Sequence, residues 1–151
     1  MLLLILVPVF FAGLAFAVPS NRLRPWLLPV TAVLHTGIAA WQLQLGDQWM
    51  FGRWLAIDPL SRVFIAAISI VFLLCSLYAP AYLRARSERP NRVICACLLV
   101  FLGMMTLVIM SHHLGLMWVA METTTLVTAP CIYFNHNQRS LEATWKYLLI
   151  G

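Results

Sequence analysis

The chain has 151 residues, of which 62% are hydrophobic and only 10% are charged, and its mean hydropathy is +0.88. This composition is typical of membrane proteins and argues against a separate soluble domain. The formal net charge is +5. Because no basic helix with interleaved aromatic residues is present, this charge is first a signal of membrane orientation, and nucleic acid is not an expected partner.

Apolar runs separated by short polar segments predict membrane spans along the whole chain. A helix needs roughly 20 residues to cross the hydrocarbon core of a bilayer. We treat the first run as an uncleaved span and not as a signal peptide, because it lacks a positively charged start. The sequence predicts an all-α, polytopic membrane helical bundle over residues 1–151, a single transmembrane region. It has five full transmembrane helices and the start of a sixth, at about 2–18, 26–45, 63–83, 93–110, 114–134 and 141–151.

Lysine and arginine are distributed unequally between the two sides of this predicted bundle. Only Arg53 and Arg62 fall on the side that follows spans two and four. The other side holds Arg22, Arg24, Arg84, Arg86, Arg89, Arg92, Arg139 and Lys146. By the positive-inside rule, the richer side faces the cytoplasm. We therefore expect a multi-pass protein of the cell inner membrane, with its N-terminus outside.

Glu122 lies in the middle of the predicted fifth span, eight residues past Leu114. A carboxylate at that depth is costly unless it is neutral, paired or facing water, and such residues mark ion paths, proton relays or buried ion pairs. Thr125 shares its helix face, and neighbouring threonine hydroxyls either hydrate a proton path or bond carbonyls of their own helix. Two interpretations of Glu122 remain open, a proton relay and a structural ion pair with a neighbouring helix.

Lys146 lies in the sixth predicted span, four residues after Glu142. This spacing favours a local ion pair. Alternatively, Lys146 is an interfacial residue, since a lysine near a helix end extends its ammonium group to the membrane surface. The sharper interpretation is a buried lysine that feels the charge of Glu122 on the adjacent helix. The sequence alone does not separate these interpretations.

Three histidines are further candidates for a proton path. His35 lies in the middle of the second span, where it either relays protons, ligates haem or is a satisfied polar residue between helices. His112 and His113 lie at the turn between spans four and five, where they titrate near neutral pH or cap the two helices. A metal site needs more ligands than this turn supplies.

No redox cofactor is expected in this chain. The four cysteines lie inside apolar runs with no C-x-x-C spacing, so we interpret them as small hydrophobic residues. The sequence also contains no phosphate loop, dinucleotide fingerprint or iron–sulfur cysteine set. If the protein serves a redox enzyme, the electrons must therefore travel in other subunits.

The segment LGLMWVAMETTTLVTAPCIYF, followed by NQRSLEATWKYLLIG, carries a family resemblance. With IDPLSRVF and YAPAYL earlier in the chain, it resembles the antiporter-like, proton-translocating membrane subunits of respiratory complex I and group 4 hydrogenases, nearest to hydrogenase-4 component F. The resemblance implies that Glu122 is the fifth-helix glutamate that takes part in proton translocation, and that Lys146 belongs to the same polar axis. The family's later lysines and broken helices lie beyond Gly151, and His112 and His113 stand where the family often has Asn or Asp.

The predicted function is therefore a membrane subunit, or the N-terminal part of one, in a proton-pumping NADH-quinone oxidoreductase or membrane hydrogenase. Its expected partners are other membrane and peripheral subunits and the lipid bilayer, with iron–sulfur clusters, NiFe, flavin or quinone held only by the partners. One alternative is a structural or assembly subunit without an ion path. Another is a haem- or quinone-binding anchor that uses His35 and the turn histidines.

Overall fold

The computed structural model describes residues 1–86, 90–135 and 137–150. Within these ranges the helices are α1 (Leu2–Ala17), α2 (Leu27–Gln44), α3 (Pro59–Ala85), α4 (Arg92–Met110), α5 (Leu114–Ile132) and α6 (Gln138–Ile150). Short 3₁₀ turns occupy Arg24–Trp26 and Tyr133–Asn135, and two strands, β1 (Gln48–Met50) and β2 (Leu55–Ile57), form an antiparallel hairpin.

Three of the described helical segments are long and apolar enough to cross a membrane, namely Arg24–Gln44, Pro59–Ala85 and Arg92–Met110. Helix α1 is also apolar but has only 16 residues. Helix α5 has 19 residues, carries Glu122 and several threonines, and is not among these three segments. Large apolar side chains such as Phe10 and Leu74 point outward over the surface, which suits lipid as the surrounding solvent. The chain is a helical membrane protein, as predicted.

The helix boundaries differ by a few residues from the ends of several predicted spans. Helix α3 begins at Pro59, four residues before the predicted start of span three, because the Asp58 carboxylate accepts a hydrogen bond from the Ser61 N–H at 2.7 Å and caps the first turn. Helix α6 begins at Gln138, three residues before the predicted 141, and α5 ends at Ile132, before the predicted 134. Arg89, which entered the orientation argument, and Gly151, the predicted end of span six, lie outside the described residues.

Helix α4 is the centre of the bundle and packs against α1, α2, α3 and α5. It approaches α1 closely at Gly103. A Cβ atom added there would lie 3.2 Å from Val9 Cγ2 and 3.3 Å from the Ile5 carbonyl oxygen. Since the Ile5 oxygen belongs to the backbone and cannot move aside alone, the lack of a side chain at Gly103 lets the two helices meet at this distance.

Two apolar clusters fill the interior at opposite ends of the helices. One cluster joins α1, α2, α3 and α4 to the hairpin, with Ile5, Ala39, Leu55, Ile65 and Met110 among its members. The other lies toward the arginine-rich end and includes Ala12, Leu28, Leu83, Leu99 and Phe134. Between these clusters, in residue order along α2, α3 and α4, lie buried polar side chains. The interior is thus apolar at both ends and polar in the middle.

The hairpin was missed by the sequence prediction, which left residues 46–62 as a connection between spans two and three. Its turn holds three consecutive residues with positive φ, Phe51 at 53°, Gly52 at 61° and Arg53 at 78°. Positive φ is uncommon outside glycine, so the turn is strained and is held by the contacts of its strands. Leu55 bridges Ser111, and the His112 N–H donates to the Trp54 carbonyl oxygen at 2.8 Å. The hairpin therefore fastens the start of α3 to the corner between α4 and α5.

Candidate functional site

Glu122 lies on the face of α5 that points away from the bundle centre. At about 100° per residue, Trp118 and Leu126 share this face, and the buried Ala120 lies on the opposite side. Trp118 is 67% exposed and Leu126 is 54% exposed, whereas Ala120 is 1% exposed. Glu122 itself is half-buried. Among the residues that the structure describes, none forms a hydrogen bond or an ion pair with the Glu122 carboxylate.

The threonine hydroxyls around Glu122 bond carbonyls of their own helix. Thr123 donates to Val119 at 2.7 Å, Thr124 donates to Met121 at 2.6 Å, and Thr125 reaches the same Met121 oxygen at a longer 3.4 Å. This is the second of the two arrangements considered from the sequence. Because each hydroxyl has one hydrogen, these threonines present mainly acceptor lone pairs to any group that approaches Glu122.

Helix α6 covers only the lower half of the Glu122 face, that is, the half toward the C-terminal end of α5. Thr128 Oγ1 and the Tyr147 hydroxyl lie 2.8 Å apart, and a cavity of about 360 Å³ between the two helices is lined by residues that include Leu126, Ala129, Thr144 and Leu148. The short connection makes α5 and α6 run antiparallel, so residues beyond Thr128 toward Glu122 lie opposite the end of α6. The upper half of this face has no helix against it in the described part of the chain.

Lys146 forms the local ion pair that its spacing predicted. Its Nζ atom lies 2.5 Å from Glu142 Oε1, and the two side chains are 68% and 66% exposed. The pair lies on the side of α6 turned away from α5, about 130° around the helix from the residues that line the shared cavity. From the Thr128–Tyr147 contact, Lys146 lies roughly 10 Å from Glu122 along the α5 axis. The structure does not bring the two charges together.

His35 is the centre of the buried polar layer. It is fully buried on α2, its Nδ1 atom lies 3.0 Å from Ser69 Oγ of α3, and its Nε2 atom lies 3.1 Å from Thr106 Oγ of α4. Ser69 and Thr106 are themselves 2% and 0% exposed. One imidazole ring therefore joins three helices near the middle of the bundle. The sequence prediction named His35 but gave it no partners, because the two hydroxyls lie 34 and 71 positions away.

The hydroxyl hydrogens limit the states of this layer. Ser69 Oγ also lies 2.7 Å from the Ile65 carbonyl oxygen, and Thr106 Oγ lies 2.8 Å from the Leu102 carbonyl oxygen. When the ring is neutral it has one N–H, so one hydroxyl must leave its carbonyl and donate to the other ring nitrogen. When the ring carries two N–H groups, both hydroxyls keep their carbonyls and accept from the ring. The layer thus changes its hydrogen-bond pattern with each proton gained or lost.

His112 and His113 are held by the tryptophans of the hairpin. The His113 ring stacks on Trp54 at 4.5 Å between centroids, and the His112 ring meets Trp49 edge-on at 5.2 Å. His112 Nε2 also lies 3.7 Å from Asp58 Oδ2. Hydrogen bonding by Ser61, from its side chain and then from its backbone N–H, lowers the pKa of the Asp58 carboxyl. His113 precedes α5 without a side-chain hydrogen bond to that helix, so stacking, and not capping, fixes its ring.

In the part of the chain that the structure describes, few side chains are placed to bind a metal ion or haem. No group of three or more His, Cys, Asp or Glu side chains converges there. Both ring nitrogens of His35 already lie within hydrogen-bonding distance of a hydroxyl, so an iron atom would have to displace Ser69 or Thr106. Cys97 and Cys131 contact each other across the interface between α4 and α5, a pairing that the sequence prediction did not foresee.

The six predicted site residues fall into four separate places. Glu122 and Thr125 lie on the outer face of α5, Lys146 lies on the far side of α6, and His35 lies in the layer between α2, α3 and α4. His112 and His113 stay together under the hairpin. Helices α2 and α5 both pack on α4, so α4 separates His35 from Glu122.

Comparisons with known proteins identify relatives over most of this chain. It is 28% identical over 153 positions, 97% of its length, to a hydrogenase-4 component F homolog of Methylacidiphilum infernorum. It is 32% identical over 144 positions to the chloroplastic NAD(P)H-quinone oxidoreductase subunit 2 of Nephroselmis olivacea, and 34% identical over 139 positions to NAD(P)H-quinone oxidoreductase subunit 2 of Gloeobacter violaceus, each over 87% of its length. No family model and no solved structure matches the chain.

The chain spans only 26–32% of the length of these relatives. The relatives are of the two kinds that the segments around Glu122 and Lys146 resemble, a hydrogenase-4 component and subunits of quinone oxidoreductases. The resemblance is therefore confirmed: over most of its length this membrane chain is a homologue of hydrogenase-4 component F and NAD(P)H-quinone oxidoreductase subunit 2 proteins.

Proposed function

We propose that the chain is a membrane subunit, or the N-terminal part of one, of a proton-pumping NADH-quinone oxidoreductase or membrane hydrogenase complex. The names of its relatives support the type of complex. The observation that carries the role in proton translocation is Glu122, a carboxylate in the middle of a 19-residue helix, with no partner in the described part of the chain. An unpaired carboxylate at this depth is typical of proton-handling sites.

The topology that we propose is a single transmembrane region over residues 1–151, with five full spans and the start of a sixth in the inner membrane. Arg24 and Arg92 lie at the same end of the bundle, since Arg24 and the first turn of α4 both contact Asn91. Arg53 and Arg62 belong to the hairpin end. Under the positive-inside rule, the arginine-rich end faces the cytoplasm and the N-terminus lies outside.

In the mechanism that we propose, Glu122 gains and loses a proton as a cationic partner approaches and withdraws. A nearby cation favours the carboxylate, and its withdrawal in a low-dielectric site favours the neutral acid. The outer face of α5 leaves room for a further helix that brings this cation, because α6 covers only its lower half. Thr125, His35, His112 and His113 remain candidates for the path, with Lys146 on the same polar axis. The redox centres belong to partner subunits.

The test is Glu122→Gln in the intact complex in native membranes. We expect this change to abolish proton translocation coupled to electron transfer, while the complex assembles in normal amount, because glutamine keeps the size and polarity of the side chain but cannot ionise. The matched control is Asp47→Asn, which removes an exposed carboxylate near the hairpin that pairs with Arg62, away from both Glu122 and Lys146, and should leave translocation unchanged. Normal proton translocation in the Glu122→Gln complex contradicts the proposal.

The alternative is a structural or assembly subunit without an ion path. The observation that favours it is the separation of His35 from Glu122 by α4, since no chain of hydrogen bonds joins them in the described residues. It predicts that Glu122→Gln lowers the yield of the complex while each assembled complex pumps normally. Gentle solubilisation and mass spectrometry of co-purifying proteins identify the partners, and isolation of this chain without any partner subunit contradicts both versions.

A further inference from the structure

Several arginines gather where α1 ends, α2 begins and the α3–α4 connection lies. In the part of the chain that the structure describes, none of Arg22, Arg24 and Arg84 forms an ion pair with a carboxylate. The acidic residues that do pair belong to the hairpin and to α6. Glu88, between α3 and α4, lies outside the described residues. Even with that carboxylate, this end attracts an anion, because its five described arginines leave it positively charged: Arg22, Arg24, Arg84, Arg86 and Arg92.

Arg24 gives this end a fixed shape. It is 1% exposed, and its guanidinium donates to Asn21 Oδ1 at 2.7 Å, to Asn91 Oδ1 at 2.6 Å and to the Val18 carbonyl oxygen at 2.5 Å. The Asn91 amide in turn donates to the Asn21 carbonyl oxygen at 2.8 Å. All these partners are neutral, and the buried Arg24 Nε atom has none. Because the described residues supply no counter-charge to this buried guanidinium, an anion is favoured in the adjoining space.

That space is a cavity of about 460 Å³ lined by Asn21, Arg22, Leu83, Arg84 and Asn91. Its walls thus supply two guanidinium groups and two amides, a set of donors that suits a phosphate group. The Arg84 guanidinium is held 5.5 Å above the Trp26 ring. Tryptophan rings of this kind are enriched at the level of lipid headgroups, which fits a position of the cavity at that level.

Two apolar cavities follow from this one along α3 and α4, and we treat them as one apolar groove because each shares lining residues with the next. Leu83 lines both the basic cavity and a neighbouring cavity of about 210 Å³ that also contacts Tyr82, Ile94 and Leu98. Cys75, Ala79 and Leu98 then join this second cavity to a third, also about 210 Å³, which reaches Ile68. From Leu83 to Ile68 the groove runs about 22 Å along α3, at about 1.5 Å per residue. That length accommodates an acyl chain that enters one leaflet.

From this arrangement we propose that the cavity beside Arg22 and Arg84 binds the phosphate of an anionic phospholipid, and that the groove between α3 and α4 holds one of its acyl chains. The charged head site and the apolar groove share Leu83, so one molecule with both characters fits them together. A transmembrane helix from another subunit also has an apolar side, but it supplies no phosphate to the guanidinium groups. This proposal does not depend on the role of Glu122.

The first experiment is native mass spectrometry of the full chain in detergent, with phosphatidylglycerol and phosphatidylcholine of identical acyl chains. We expect phosphatidylglycerol adducts to predominate, and the double change Arg22→Gln and Arg84→Gln to weaken them about tenfold or more. Arg53→Gln, an exposed arginine of the hairpin turn, is the matched control and should leave binding unchanged. Equal binding of both lipids, or unchanged binding in the double variant, overturns the proposal.

The second experiment separates the acyl chain from the phosphate. Ala79→Trp fills the groove without touching the arginines and should also weaken phosphatidylglycerol binding, whereas Leu77→Trp, on the 62% exposed outer side of α3, should not. Inorganic phosphate at millimolar concentration should fail to displace the lipid. Displacement by inorganic phosphate, together with normal binding in Ala79→Trp, identifies a simple anion site and overturns the lipid assignment. A co-purifying subunit that covers Ala79 and leaves no room for a lipid in the groove also overturns it.

Discussion

His35 and Glu122 are both ionisable residues within helices of this membrane protein, and their surroundings are opposite. His35 is fully buried and meets a hydroxyl at each ring nitrogen, whereas Glu122 is half-buried on an outer face with no partner in the described part of the chain. His35 finds both hydrogen-bond partners within its own chain, whereas the Glu122 carboxylate remains available to a group from another chain. We therefore expect His35 to stabilise the bundle and Glu122 to interact with a partner.

The largest effect that we expect on folding comes from His35→Ala. This change leaves a cavity among α2, α3 and α4 and removes two interhelical hydrogen bonds, so the free energy of unfolding should fall by about 2–3 kcal/mol. Glu122→Ala, which removes a side chain of the outer face, should change it by less than about 0.5 kcal/mol. Unfolding of the detergent-solubilised chain by sodium dodecyl sulfate measures both. Equal losses would abolish the contrast between the two sites.

The second prediction concerns the contact between α1 and α4 that borders the polar layer. Gly103→Leu forces a side chain against Val9 and the Ile5 backbone, and we expect it to lower the free energy of unfolding by about 1–3 kcal/mol. Gly13→Leu is the matched control, because a Cβ at Gly13 meets nothing within 4 Å. If the same unfolding assay gives equal losses for both variants, the close approach at Gly103 is not what holds α1 in place.

The third prediction addresses how firmly α6 is attached beside Glu122. Thr128→Val and Tyr147→Phe each remove the hydrogen bond between α5 and α6, and each should cost about 0.5–1 kcal/mol. Because one hydrogen bond is lost in both cases, the double variant should cost little more than either single variant. Hydrogen exchange of α6 amides measures the effect. Additive costs in the double variant would show that the two hydroxyls act independently.

The smallest effect concerns the hairpin end and depends on pH. The folded chain lowers the pKa of Asp58, so the contribution of this carboxylate to stability is fully present above the pKa of the unfolded chain, about 3.9. It is lost as the pH falls through the lower pKa of the folded chain. We expect the protection factors of amides in the first turn of α3, which are corrected for the intrinsic pH dependence of exchange, to fall below about pH 4. Asp58→Asn keeps a capping side chain, and its protection factors should no longer change in this range.

The sequence predicted the helices well because twenty-residue apolar runs leave few alternatives in a membrane. It predicted the Lys146–Glu142 pair for a similar reason, since four residues bring two side chains together on any helix. The partners of His35 depend on how α2, α3 and α4 pack, and no local pattern records that. The hairpin was missed because its strands have three residues each, and its turn uses positive φ at Phe51 and Arg53, where glycine would have been the local signal.

The attachment of Ser111 and His112 to the hairpin has a mechanical consequence for α5. Its N-terminal end is tied to the strands that precede α3, whereas its C-terminal end packs against α4 and α6. A rotation of α5 about a pivot near Leu114 keeps the hairpin contacts while the rest of the helix moves. A swing of about 10° about this pivot moves Glu122 by roughly 2 Å and Ile132 by roughly 5 Å, from the rise of about 1.5 Å per residue. The displacement is thus smallest near the hairpin and larger at Glu122. A small tilt of α5 moves the carboxylate by about the distance that makes or breaks an ion pair with an approaching cation.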